Sequence, residues 1–346
     1  MAKPTTSLRT YALTRLALVL PMILILLTMV FVLMRVAPGD PISAALGGRL
    51  SQEQLDQRRE SAGYDRPLGV QYLEYLWDVA RFDFGETIID NRPLCCGERS
   101  VILQNGMATL ELTLAAMVVA LATGIGIGLV TGRFRDSPID VAGRLYSIVI
   151  YAAPVFFLGF LAQLVFSKWL NWFPSSGRAS PAVTFDLDTP TNFLVLDSII
   201  ALDWNSFTDV VSHLVLPAVT LGLVIGGVFV RLVRVNVLQT MRGDYIEAAR
   251  ARGIGERHVV YRHAFKNALV PVITVVGLQF ALLLSGAVLT EQTFNWPGLG
   301  AELIRYLNNR DYVAVQGIIT FFAIIVVAVS LLIDLLNAWV DPRVRY

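Results

Sequence analysis

The chain of 346 residues is 55% hydrophobic and only 16% charged, with a mean hydropathy of +0.60, which excludes an ordinary soluble domain and requires the length to be counted in membrane spans. Its two cysteines are adjacent, Cys95 and Cys96, and its three histidines, His213, His258 and His263, stand in no ligand spacing, so a disulfide framework and a four-ligand metal site are excluded. A formal net charge of +1 says nothing about nucleic acid; what matters is where the charges lie.

Leu16 to Met34 is free of charged residues and approaches the ~20 residues that cross a bilayer. The run is too long for a signal peptide, and Ala37-Pro38-Gly39-Asp40-Pro41 is a poor cleavage site, so the first span is expected to be retained. Residues 36 to 105 are hydrophilic. Within them Val70, Leu73, Leu76, Trp77 and Ala80 recur at helical spacing, which predicts a short amphipathic helix that packs on its own loop or lies at the interface.

A second span is expected over 106–130, carrying Glu111. Its Gly124, Gly126 and Gly128 lie in an apolar run with no strand before them and no Lys-Ser/Thr after them, so they do not form a nucleotide loop. Gly124 and Gly128 have the small-xxx-small spacing of close helix packing. The third span, Leu145 to Ser167, is broken by Pro154 and followed by Trp169 and Trp172 as interfacial anchors. A Pro-, Ser-, Thr- and Asp-rich loop leads to a fourth span, Leu214 to Val230, with Pro217 inside it. A fifth is expected over Ala268 to Thr290 and a sixth over Val313 to Trp339, with Asp334 near its inner end beside a basic partner. Arg and Lys concentrate at the N-terminus, in 131–144, in 231–267 and in the tail. Six spans with both termini inside satisfy that charge bias, and place a long external loop after the first span.

Between the fourth and fifth spans lies a polar segment dense in Arg and Lys, Asp244 to Pro271. Asp244 stands where a cap would be, Glu247, Ala248, Ala249 and Ala251 are good helix formers, and Gly253 stands where a helix would stop. A second helical piece is expected over Glu256 to Ala268. A helix–Gly–helix unit between two spans suits docking to something outside the membrane, although an ordinary basic loop would share its charge.

These residues carry a family resemblance. Glu247-Ala248-Ala249, Gly253 and Leu269-Val270-Pro271 resemble the EAA loop of bacterial ABC importer permeases, E-A-A-x3-G followed by I-x-L-P, with a longer gap and Val-Pro in place of Leu-Pro here. Ala37-Pro38-Gly39-Asp40-Pro41, Phe82-Asp83-Phe84-Gly85, the run from Glu291 to Gly300 (EQTFNWPGLG) and the tail Asp341 to Tyr346 resemble the dipeptide and oligopeptide permeases. The resemblance implies an all-α membrane protein with the six-helix type I ABC importer permease fold. It divides the chain into 1–105 (cytoplasmic tail, first helix, long external loop) and 106–346 (a five-helix core with the coupling loop at 231–270).

It also implies a multi-pass subunit of the bacterial plasma membrane, importing dipeptides or oligopeptides. The partners implied are a homologous second permease, two cytoplasmic ABC ATPases and an extracytoplasmic peptide-binding protein, with surrounding lipid and no nucleic acid. No cofactor is expected on this chain, ATP being bound by the ATPases. Asp244, Glu247, Ala248, Ala249, Arg252 and Gly253 would contact the ATPase, as a helix seated in a groove. Nickel-chelate and glutathione importers share the plan.

No nucleophile–base pair, metal set or phosphate cradle stands at catalytic spacing, so an enzyme is not expected. An ion-coupled secondary transporter would call for inverted repeats and paired broken helices, which are not evident. A scaffold or channel subunit would not need the EAA-like loop. Ionisable and polar groups at membrane depth are functional candidates by default, and Glu111, Gln163 and Glu291 are the candidates for the translocation path. A bond between Cys95 and Cys96 would be strained, so free thiols or a bond to another subunit are expected.

Overall fold

The computed structural model describes residues 8–36, 41–46, 51–61, 63–97, 99–260 and 265–340. The motif Ala37–Asp40, the middle of the second helical piece (261–264, with His263) and the tail from Asp341 lie outside them. The described residues form helices and turns, with one isolated antiparallel bridge, Glu86 to Pro93.

Two long helices make the centre. Ser100 caps α5 (Val101–Arg133) by accepting from the Leu103 N–H, and Asp203 caps α10 (Trp204–Thr240) by accepting from Asn205 and Ser206. At 33 and 37 residues they reach roughly 50 and 55 Å, so both overrun a ~30 Å hydrocarbon core. They pack closely because glycine faces bulk across the seam: a Cβ on Gly124 would lie 2.3 Å from Phe229 Cβ, one on Gly128 2.7 Å from Val233 Cβ, and one on Gly222 2.6 Å from Ala116 O. Gly126 has nothing within 4 Å. Gly124 and Gly128 thus pack as their four-residue spacing predicts, and Gly132 extends the seam, where a Cβ would lie 2.9 Å from Val237 Cγ1. Starting at Trp204, α10 encloses His213 well inside the helix and runs through Pro217.

α1 (Leu8–Val36) packs on the last helix. The long segment after it is not plain loop: it holds α2 (Pro41–Leu46), α3 (Gln52–Ser61) and α4 (Leu68–Ala80). α4 is the expected amphipathic helix, but of its apolar stripe only Leu76 packs on the bundle, beside buried Val79. Val70, Leu73 and Trp77 are exposed, while Tyr72 meets Thr28 of α1 (2.6 Å between hydroxyls) and Tyr75 meets Thr320 of the last helix (2.7 Å). Tyrosine pairs an apolar body with a tip that needs a partner, and those hydroxyls supply it.

α6 (Pro138–Ala152) and α7 (Val155–Ala162), the latter continuing as a π-helical turn Gln163–Trp169, form the broken third span with a bend of 102°. Pro154 causes it by forcing the preceding Ala153 out of the helical region, to φ −77°, ψ 133°. Two short helices follow, α8 (Pro181–Asp186) and α9 (Leu194–Ile200). After α10 come α11 (Asp244–Ala251), α12 (Glu256–His258), α13 (Phe265–Ala268), α14 (Val270–Gly286), α15 (Val288–Thr293), α16 (Leu299–Asn308) and α17 (Tyr312–Val340).

Four of the described helices are long and apolar enough to cross a membrane, five if the bent α6–α7 pair is counted as one span. The expected fifth span is split at Ala287 into α14 and α15, and α14, with 17 residues, reaches only about 25 Å. The division at 105/106 falls inside α5. Contacts set the two ends of the bundle. Arg15 pairs with Asp334 at 3.1 Å, and Arg234 with Asp140, placing the start of α1 with the end of α17, and the start of α6 with the last turns of α10. The opposite end collects residues 81–97, 99–100, 170–203 and 292–311, joined by contacts such as Ile88 with Asp311, Arg305 with Asp90 and Gln163 with Thr293.

Candidate functional site

The basic end carries α11. Gly243, not Asp244, is its N-cap; Asp244 and Glu247 instead lie in the first turn, where carboxylates favour the positive end of the helix dipole. Ile246 (0% exposed) and Ala249 (5%) are buried with Val259, against Met241 and Ile254. That apolar contact tethers the helix to its own chain and turns Tyr245, Glu247, Ala248 and Arg252 outward. Of the six expected coupling residues, Ala249 therefore faces inward and the other five are exposed.

α11 ends in a Schellman motif. Gly253 N–H donates to Arg250 O (2.9 Å), Ile254 N–H donates to Ala249 O (3.3 Å), and Ile254 shares the apolar cluster with Ala249. The motif needs a left-handed residue, and Gly253 supplies it at φ +76°. Arg250 closes the turn from outside by donating twice to Glu256 (Nη2–Oε1 2.7 Å, Nε–Oε2 3.1 Å). The hydrogen bonds from Arg250 hold the Glu256 carboxyl below the usual range. Ile246, Ile254 and the Arg250–Glu256 pair were not singled out in the sequence; the alternation of apolar and charged positions across Gly253 was their available signal.

Just above lies a second lock that the sequence concealed. Arg234 of α10 donates to Asp140 through Nε (2.5 Å) and Nη2 (2.8 Å), the Asp136 N–H adds a third bond (3.0 Å), and Asp140 is fully buried. It fixes the first turn of α6 to the helix that leads into α11.

At the other end the three path candidates are all bonded within the chain. Glu111 is 1% exposed and accepts from Arg178 (Nε 2.8 Å, Nη2 2.5 Å) and from the Val195 N–H (2.7 Å), so it clamps the 178–195 loop over α5. Gln163 donates from the π-helical turn to Ser175 O (2.8 Å) and Thr293 O (2.9 Å). Glu291 accepts from Thr109 Oγ1 (2.6 Å) and the Ala301 N–H (2.8 Å), and Thr109 Oγ1 in turn accepts from the Leu299 N–H (2.8 Å). The Trp-Pro-Gly-Leu-Gly run explains itself here: a Cβ at Gly298 would lie 2.1 Å from Glu291 Oε1, and one at Gly300 2.9 Å from Oε2. Trp296, fully buried, donates its Nε1–H to Ala108 O (2.9 Å).

Between these clamps opens a cavity of about 650 Å³, bordered by Asn105, Arg178, Asn192, Gln292, Trp296 and Arg305. Buried Asn105 donates to Pro297 O (2.8 Å), and its Oδ1 has no partner among the described residues. The wall mixes apolar and polar groups and presents both donors and acceptors.

A bundle of long apolar helices, with a cavity of mixed polarity at one end and an exposed, rigidly terminated helix at the other, defines a multi-pass membrane protein. The chain belongs to the family described as binding-protein-dependent transport system inner membrane component, whose model matches residues 124–346; the model for the N-terminal region of such components matches 9–105. It is 38% identical to the dipeptide transport system permease protein DppB of Escherichia coli, over 97% of this chain and 98% of that one. It is 37% identical to the di/tripeptide transport system permease protein DppB of Pseudomonas aeruginosa (96% and 97%) and 35% identical to the dipeptide permease DppB of Alkalihalophilus pseudofirmus (97% and 99%). The family that the motifs resemble is thus the family of the chain.

Proposed function

We propose that this chain is a membrane-embedded permease subunit of an ATP-driven importer that carries dipeptides or oligopeptides across the bacterial plasma membrane. Peptide as the cargo rests on the printed functions of relatives aligned over nearly the whole chain. The basic end of the bundle faces the cytoplasm with both termini, and the cavity end faces out. A second, related permease completes the pathway, two cytoplasmic ATPases bind and hydrolyse ATP, and an external binding protein delivers peptide. The chain needs no cofactor of its own and is not itself an enzyme.

In this reading α11 is the coupling helix. Nucleotide-driven motion of the ATPase grips the outward face of Tyr245, Glu247, Ala248 and Arg252. The Schellman turn at Gly253 and the Asp140–Arg234 lock let that motion act on α10 and α6 as rigid bodies. The observation that carries the proposal is the orientation of α11, tethered by Ile246 and Ala249 with the face of Tyr245, Glu247, Ala248 and Arg252 left open. The test is purification of a tagged chain from membranes. Stoichiometric recovery of a second permease and of ATPase subunits, with peptide-stimulated ATP hydrolysis, is expected; recovery of the chain alone with ion-driven peptide uptake would overturn the proposal.

A further inference from the structure

Cys95 and Cys96 sit in the turn that joins the Glu86–Pro93 bridge to α5. Both are free thiols, and their Sγ atoms lie 2.8 Å apart on the same side of the chain. Side chains of adjacent residues ordinarily diverge, so this convergence needs an unusual backbone. Cys96 is left-handed at φ +62° and Gly97 follows at φ +141°. A non-glycine residue held there persists only where its surroundings over-determine it. They do so here: Leu94 is fully buried and its N–H donates to Gly85 O (2.9 Å), while Val101 and Ile102 donate to Pro93 O and Leu94 O (3.1 and 3.0 Å). The turn is thus pinned on both sides, with Cys95 packed against the apolar cluster and Cys96 exposed.

We propose that Cys95 and Cys96 act as one vicinal dithiol, a site of reversible oxidation that closes to a disulfide within the pair when it meets a small disulfide oxidant on the outer face. The proposal rests on the orientation given above, which places Cys95 and Cys96 in the oxidising compartment. The chemistry balances by thiol–disulfide exchange. The exposed Cys96 thiolate attacks one sulfur of R–S–S–R and expels the first R–S⁻, leaving Cys96–S–S–R. Cys95 then gives its proton to water and attacks the Cys96 sulfur, expelling the second R–S⁻; one oxidant has become two R–SH and the pair has lost two hydrogens.

The order follows from exposure. Burial and the contact with Cys96 push the Cys95 thiol up to about 12, so it stays protonated at first, and the Cys96 contribution falls away once that sulfur is capped. Adjacent Cα atoms stand ~3.8 Å apart, below the ~4.4–6.8 Å of ordinary disulfides. The closed ring is therefore strained, and strained, exposed disulfides are the readily reduced ones. That suits a reversible site and argues against a permanent structural bridge.

The experiment treats the intact transport complex in membrane vesicles with hydroxyethyl disulfide and follows the Cys95–Cys96 peptide by mass spectrometry. The wild type is expected to end with a loss of two hydrogens and no retained adduct, restored by a dithiol reductant. Cys95→Ser should accumulate the hydroxyethyl adduct on Cys96, and Cys96→Ser should leave Cys95 unreacted. Phenylarsine oxide, which needs two thiols, should protect the wild-type Cys96 from a maleimide and fail to protect it in Cys95→Ser. A wild-type adduct that persists on Cys96, a bond to another subunit, or two unreactive thiols would overturn the proposal.

Discussion

Arg234 grips Asp140 with two charge-assisted hydrogen bonds, 2.5 and 2.8 Å long, across 94 residues of sequence and in full burial on the carboxylate side. The pair joins the first turn of α6 to the last turns of α10, the helix that leads in sequence to α11. Removing one member of a buried pair strands the other charge, at about 3–5 kcal/mol. Arg234→Leu should therefore lower the thermal stability of the detergent-solubilised chain sharply, and Arg234→Leu combined with Asp140→Leu should recover much of the loss. Equal stability of single and double variants would show that the lock is not formed.

The glycines of α5 give a second, internally controlled prediction. Gly124→Ala must displace Phe229, whose Cβ would stand 2.3 Å from the new methyl, whereas Gly126→Ala enters open space two residues away. Overpacking costs about 1–3 kcal/mol, while an exposed Gly→Ala in a helix gains up to ~1 kcal/mol. The two variants should shift the melting temperature in opposite directions, and a shift of the same sign would contradict the seam.

How much of this was legible in the sequence depends on how far apart the partners stand. Pro154, Gly124, Gly128 and Gly253 announce a break, a seam and a helix stop because each acts on its own few residues, and the structure places them in those roles. Glu111 and Glu291 stand out as charges in apolar surroundings, whereas Asp140 is one charge among many in 131–144, and their partners Arg178, Thr109 and Arg234 lie 67, 182 and 94 positions away. No local pattern points to them, so two clamps read as path candidates and the Asp140 lock was not seen. The helix α4 was legible from its own few residues, and Leu73 and Trp77 share an exposed face as a helix lying at the interface would; that Tyr72 and Tyr75 reach Thr28 and Thr320 was not, because those partners lie 44 and 245 positions away.

A pH prediction follows at the cavity end. Burial alone would raise the Asp90 carboxyl, but hydrogen bonds from Thr87 and Arg305 prevail and hold it below the usual range. A folded value beneath the unfolded one means that the tie from the Glu86–Pro93 bridge to α16 is fully present above the ordinary carboxylate range, and is lost as pH falls through the Asp90 value. The partners are partly exposed, so the effect is under about 1 kcal/mol. Hydrogen exchange of Thr87 and Arg92 should accelerate in acid beyond the intrinsic trend, and Asp90→Asn should show that faster exchange already at neutral pH. Identical acid profiles in the two proteins would remove Asp90 from this role.

The docking face and the tether of α11 should separate by mutation. Ala248→Arg adds bulk to the exposed face, whereas Ala249→Arg drives a charge into the Ile246–Val259 contact. The first should leave the stability of the chain unchanged and abolish ATPase retention; the second should impair both. Loss of stability by Ala248→Arg alone would show that the exposed face is packed against the chain itself.

The central claim is that α11, closed by Gly253, is the seat of the ATPase, and the most direct measurement is ATPase retention on the purified Gly253→Val variant, alongside peptide uptake in cells. No atom crowds the Gly253 Cβ position, so the substitution acts only through its left-handed backbone. Strain of that kind costs about 1–3 kcal/mol and should weaken docking by about one to two orders of magnitude. The account predicts normal membrane levels with lost ATPase subunits and lost uptake. Full ATPase retention and full uptake in Gly253→Val would contradict it.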